Sequence, residues 1–243
     1  MISRRLIVLV ALAGAVAIAA GVWWMSWLAP TWWVAPEPLN QRWIDLAGLV
    51  EKRLAQETHR KRTPGTSWTI RLREQQLNAW LATRLLPWVA HFGSDGNETI
   101  DWPSAVGPPQ VHLSEEGLSV AVEMVTGGRS RFVEAQATPK MSDGGLQLNL
   151  KGTRLGRVPI PRKPGRQVLR LLGTMTSATF VEHPMLKHLV QIADGREPIN
   201  PTLTLADGRT VRLTAIRCGK GFLDLTLETL PPTSKPRPGA HNP

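Results

Sequence analysis

The chain is short of cross-links, short of acids, and without charge through most of its first thirty residues. Cys218 is its only cysteine, so no intramolecular disulfide is available and stability has to come from packing. It precedes Gly219-Lys220-Gly221, where a turn is expected, and neither a nearby histidine nor a strand-to-helix nucleophile turn accompanies it. An incidental thiol is the simpler reading.

Signatures of catalysis and metal binding are lacking too. His59, His91, His112, His183 and His188 are scattered, and His183 and His188 lie five apart. Two ligands on one helical face would be four apart. There is no Gly-x-Ser-x-Gly elbow and no Ser-x-x-Lys. Gly219-Lys220 is followed by Gly221, where the phosphate-loop pattern requires Ser or Thr. Glu115-Glu116 fall in an expected turn, where solvation explains them. The residues therefore offer no catalytic group, no metal site and no cofactor, and a non-enzymatic protein is expected. Carboxylates remote in the chain leave an envelope hydrolase as the minority alternative.

Between Leu6 and Leu28 lie 23 residues without a charge. As a helix they would span about 35 Å, against a hydrocarbon core of about 30 Å. No polar face interrupts them, as a buried core helix would require. Arg4 and Arg5 precede the run and no acid or base follows until Glu37. The positive-inside rule then puts residues 1–5 in the cytoplasm and the remainder across a single-pass membrane anchor. Trp23, Trp24, Trp27, Trp32 and Trp33 crowd the far end and are expected at the membrane interface, where indole rings sit well. A cleaved signal peptide, using Ala17-Ile18-Ala19, is the competing reading. The domain is exported on either account. Export without disulfides points to a bacterial inner membrane and its outer side, and the sequon Asn97-Glu98-Thr99 is then a chance match.

Cations outnumber acids, 29 to 19, for a net charge of +10 and a pI near 10.8. Between Lys151 and Arg170 stand Arg154, Arg157, Arg162, Lys163 and Arg166 without a single acid. Such a run is often just a solvated face. The sharper expectation is contact with anionic headgroups, worth about 1 kcal/mol per basic residue near the surface. Nucleic acid fits the charge but not the exported topology, nor does an aromatic-studded strand accompany the patch.

Periodicity places the elements. Leu39, Trp43, Leu46, Val50 and Leu54 predict a helix from near Asn40 to near Glu57, followed by the cations His59 to Arg62 and a break at Thr63-Pro64-Gly65. Ser67 to Leu72 reads as a strand, with Trp68, Ile70 and Leu72 on one side. A helix from Glu74 to Leu86 carries the stripe Leu77, Trp80, Leu81 and Leu85, and Pro87 is expected to stop it. Phe92 to Gln110 reads as a long loop. From Val111 the period becomes two, through Leu118 to Met124, Arg131 to Thr138, and Leu146 to Leu150 after the turn signal Asp143-Gly144. Short helices are expected around Val168 to Leu172 and Met185 to Ala193. The end returns to strands at Thr202 to Leu205, Val211 to Ala215 and Leu223 to Leu227. The expected fold class is α+β: an N-terminal transmembrane helix, then a curved antiparallel β-sheet packed with a few helices. The layout is anchor 6–28, linker and juxtamembrane helix 29–66, exported domain 67–230 and disordered tail 231–243.

The stretch Trp68-Thr69-Ile70-Arg71-Leu72-Arg73-Glu74-Gln75-Gln76-Leu77-Asn78-Ala79-Trp80-Leu81 following an anchor resembles the YpmS-like family of bacterial membrane-anchored proteins, whose function is unsettled. Leu155-Gly156-Arg157-Val158-Pro159-Ile160-Pro161 and the hairpin around Asp207-Gly208-Arg209 agree with it. The likeness implies an architecture similar to tubular lipid-binding domains, with Leu77, Trp80, Leu81 and Leu85 lining an apolar groove or, equally, a core. The function expected is a non-enzymatic, envelope-facing module binding membrane lipid or another apolar ligand. Docking onto another envelope protein is the alternative.

Overall fold

A computed structural model of the chain describes residues 4–92, 102–142, 145–160, 198–205 and 207–231. Helix α1 (Arg4–Met25) holds an apolar window, Val8–Met25, of mean hydropathy 2.2 with nothing in it buried. It is long and apolar enough to cross a membrane, a test that a signal sequence also meets. Then follow α2 (Gln41–His59), β1 (Ser67–Arg73), α3 (Glu74–Thr83), α4 (Leu85–Phe92), β2 (Gln110–Ser114), β3 (Gly117–Thr126) and β4 (Arg129–Ser142). β5 (Gly145–Leu155), β6 (Val158–Ile160), β7 (Thr202–Thr204), β8 (Thr210–Gly219) and β9 (Phe222–Thr229) complete the described elements.

The strands form two antiparallel sheets, ordered β1-β9-β8-β7 and β2-β3-β4-β5-β6, and neither is strongly curled. The class is α+β as expected, but the strands divide where one sheet was expected. The reason is long-range: β1 pairs with β9, from Ser67↔Glu228 to Arg73↔Phe222, so the two ends of the domain build a sheet of their own. The meander β2–β6 is left to form the other. The turn dipeptide Asp143-Gly144 lies outside the described residues, though β4 and β5 pair out to Ser142↔Gly145 on either side of it.

Alternation in β1 and β9 puts Trp68, Ile70 and Leu72 opposite Leu227, Leu225 and Leu223. Helix α2 adds Val50 and Leu54 to this face, and α3 adds Leu77 and Trp80. Burying such side chains stabilises by roughly 1.5–3 kcal/mol each. The opposite face is polar. Arg71 holds Asp224 through two hydrogen bonds of 2.7 Å, and Arg212 holds Glu228 at 2.9 Å. The Arg71 bonds keep the Asp224 carboxyl below the usual carboxylate range. That small contribution is present above the ordinary carboxylate pKa and lost as pH falls through the lowered folded value. A second core, Met124 and Val133 with Val122 and Leu155, lies in the five-stranded sheet.

Asn40 caps α2, its side-chain oxygen accepting from the Arg42 N–H at 3.0 Å. The other end receives two arginines. Arg62 donates to the Glu57 carbonyl and carboxylate, while Arg209 donates to Thr58 O at 2.6 Å and Arg60 O at 3.1 Å. Pro87 does not end the helical stretch. The break is at Arg84, and Pro87 falls in the first turn of α4. A helix's first N–H groups have no acceptor within it, so a residue lacking that donor is tolerated there.

Strands of the two sheets approach one another directly, and α3 adds polar bonds between them. Both Val111 backbone groups bond to the Asn78 amide, N–H to Oδ1 at 2.7 Å and O from Nδ2 at 2.9 Å. Leu113 N–H donates to Glu74 Oε2 at 2.7 Å, and Leu113 O accepts from Gly221 N–H at 3.0 Å in the β8–β9 turn. Asn78→Leu should therefore lower domain stability by about 1–3 kcal/mol, because Val111 N–H and C=O lose their partners in a part-buried position. Asn78→Asp should cost as much, since it sets a carboxylate against the Val111 carbonyl. Thermal denaturation of the detergent-solubilised chain measures both; an unchanged midpoint for the two variants would refute the role.

Candidate functional site

The domain closes on the end of α1. Ser26 terminates the helix with its hydroxyl donating to Trp23 O at 2.7 Å. The β5–β6 turn then meets it: Arg157 N–H donates to Met25 O at 3.0 Å, and Arg157 Nε donates to Ala29 O at 2.9 Å. Last-turn carbonyls lack an i+4 donor within the helix; Met25 O accepts from Leu28 N–H at 3.3 Å, and the domain adds the shorter bond. The approach requires glycine at 156. Its φ is +57°, its N–H donates to Phe132 O at 2.7 Å, and a Cβ there would lie 2.5 Å from Ser26 O.

The five clustered tryptophans separate into two groups. Trp23 and Trp24 are largely exposed on α1, at 62% and 69%, and Trp23 meets Trp27 edge-on at 5.7 Å. The β3–β4 hairpin runs beside them: the Arg131 guanidinium lies 4.0 Å from the Trp27 ring centroid and 5.7 Å from that of Trp23, and Arg129 lies 5.8 Å from Trp27. Trp32 and Trp33 instead fold onto the domain. Trp32 stacks on His112 at 5.4 Å and its Nε1–H donates to Glu134 Oε1 at 3.3 Å, while Trp33 packs edge-on against Phe132 at 5.2 Å.

Trp32 walls a cleft of about 540 Å³ that also involves His112, Glu116, Glu134, Arg154 and Lys220. A smaller recess of about 160 Å³ shares Trp32, Glu134 and Arg154 and reaches Gly156 and Arg157. Glu134 is 1% exposed. Its partners are all at long range: Trp32 and Gln136 Nε2 at 3.3 Å, and Arg154 Nη1 at 3.7 Å. A carboxylate so held keeps acceptor capacity for a donor entering the cleft. His112 is itself paired with Glu74, at 3.2 Å.

The basic run is thus redistributed. Arg154 faces the Glu134 cleft and Arg157 is bonded to the end of α1, while Arg162, Lys163 and Arg166 lie outside the described residues. So do the helices expected around Val168 and Met185 and the tail after Pro231. Of the candidate groove residues, Leu77 and Trp80 pack on Val50, Ile70 and Leu72, and Trp80 also meets Trp88 at 6.3 Å. Leu81 and Leu85 are half-buried. Among the described residues no group of three His, Cys, Asp or Glu side chains comes together around a metal-sized space.

Glu134, Arg129 and Arg131 were not legible as site residues. Glu134 looks like any outward residue of an alternating strand, and the two arginines lack the density of the later basic run. Gly156→Val should loosen the joint with the end of α1, so chymotrypsin should cut faster after Trp32 or Trp33 while the domain's melting point falls only slightly. Equal cleavage rates would mean that the turn does not hold the linker. Partial burial also pushes the Cys218 thiol up, so at pH 8 it should alkylate more slowly in the folded protein than in urea; equal rates would show an open thiol.

The chain matches no protein-family model and no curated protein matches it significantly, so its likeness to the YpmS-like proteins rests on the quoted motifs.

Proposed function

We propose that this protein is a single-pass, membrane-anchored, non-enzymatic module whose domain is held against the extracytoplasmic face of a bacterial inner membrane and binds lipid there. The observation that carries it is the joint at the end of α1. Arg157 bonds Met25 O and Ala29 O, and Trp32 and Trp33 are packed onto the five-stranded sheet, so the domain is fastened to the anchor instead of hanging from a free linker. A domain fastened in this way stays at the lipid surface. Arg4 and Arg5 before the apolar run support a cytoplasmic N-terminus. The likeness to YpmS-like proteins supports the same architecture: Asn78, Arg157 and Arg209, one from each motif stretch, all sit at joints between elements. The lipid reading leans on the surface more than on an enclosed groove, because Leu77 and Trp80 already pack against the four-stranded sheet.

A second reading is docking of another envelope protein. The polar Glu134 cleft favours it, since Arg154, Lys220 and Glu116 suit a charged segment better than an acyl chain.

The protein should stay in the membrane fraction after alkaline carbonate washing, with the region after Glu37 open to protease only from the non-cytoplasmic side. A mature N-terminus at or just after Ala20 would overturn the anchor. Native mass spectrometry of the detergent-purified chain should show stoichiometric phospholipid. A co-purified protein with no lipid would favour docking.

A further inference from the structure

The expected headgroup contacts were the cations after Lys151, yet the arginines lying against the apolar helix are on a different element. The β3–β4 hairpin turns through Gly127 and Gly128, both at positive φ, and pairs Thr126 with Arg129. From Met124 to Val133 it holds Arg129 and Arg131 and no acid. Among the described residues neither arginine has a carboxylate within ion-pair distance; their ring contacts are with Trp27 and Trp23 of the anchor end. Val125, Gly127 and Gly128 beside them are exposed.

We propose that Arg129 and Arg131 form a binding site for the phosphate of an anionic phospholipid, making the hairpin a second point of membrane contact. It deepens the lipid reading above and rests on α1 spanning the membrane. Indole rings near the end of a spanning helix sit at headgroup depth. A guanidinium 4.0 Å from the Trp27 ring centroid therefore sits at that depth as well. A cation held over an indole ring commits no N–H to a carboxylate, so the guanidinium keeps donors that a phosphate can accept in pairs. The exposed glycines and Val125 bring no charge that would hold the turn away from the interface. A lipid is favoured over a protein partner because the site lies beside the exposed Trp23 and Trp24 of α1, whose surroundings on this reading are lipid.

The test uses the full chain reconstituted in phosphatidylcholine vesicles carrying spin-labelled phosphatidylglycerol or spin-labelled phosphatidylcholine. Phosphatidylglycerol should associate preferentially, and the preference should shrink as salt is raised. Replacing both residues, Arg129→Gln and Arg131→Gln, should lower it by up to about five-fold per arginine. The pair Arg129→Lys and Arg131→Lys keeps the charge and should retain most of it. Arg217→Gln, on the exposed face of the four-stranded sheet, should leave it unchanged. Equal association of the two lipids, an undiminished preference in the glutamine pair, or an equal loss with Arg217→Gln would overturn the site while leaving the anchor intact. Release of the chain by carbonate would overturn the anchor itself, and the site with it.

Discussion

The backbone of β2 has one edge paired with β3 and another with no strand beside it. An unpaired edge exposes N–H and C=O groups that need partners and invite another chain. Here α3 acts in place of a strand. Asn78 offers one donor and one acceptor at the spacing of a single residue's N–H and C=O, and Glu74, one turn earlier, accepts from the next outward N–H. The Gly221 N–H supplies the fourth bond, and Gly221 O accepts from Glu74 N–H at 2.9 Å. Three pieces of chain remote in sequence are thereby fixed to one another: the α3 start, β2 and the β8–β9 turn. The four-stranded sheet hangs on one side of this joint and the five-stranded sheet on the other.

A comparable device joins the domain to the end of α1. The Gly156-Arg157 turn satisfies Met25 O, and the linker that follows is pinned by two indoles, Trp32 on His112 and Trp33 on Phe132. The tryptophans of one short segment thus do different work. Those within one turn of the end of α1 remain on the apolar helix. Those beyond Pro30 pack against the sheet, where a flat ring covers much apolar area and its N–H finds a carboxylate. The same division runs through the cations. Arg157, expected to face lipid, is used to hold backbone at Ala29, as Arg209 is at the end of α2. Arg129 and Arg131 remain beside the end of α1.

Glu134 connects these two themes. It sits on β4 beneath a residue of the linker, with Arg154 from β5 on its other side. Burying a carboxylate costs several kcal/mol unless its oxygens are bonded, and here the contacts are long and one of the three comes from a linker tryptophan. Anything that displaced Trp32 would expose the carboxylate and open the cleft to the recess above Gly156. The linker is therefore part of the cleft's wall as well as the tether of the domain.

The apolar N-terminal helix, α2, β1 and the hairpins were legible because each rests on local pattern: an unbroken apolar run, a 3.6-residue stripe, or alternation bounded by turn residues. The stripe on α3 was legible too, but whether it lined a groove or a core was not; Leu77 and Trp80 pack against Val50, Ile70 and Leu72. Which strands share a sheet was not legible, because β1 and β9 read alike as half-buried strands and nothing near either one specifies its partner. The division of the tryptophans and arginines was decided in the same way. A Trp or Arg in the sequence carries only its chemistry. Whether that chemistry meets lipid, a carbonyl or a buried carboxylate depends on what the tertiary fold brings within 3 to 6 Å of it, and those neighbours come from residues more than a hundred positions away.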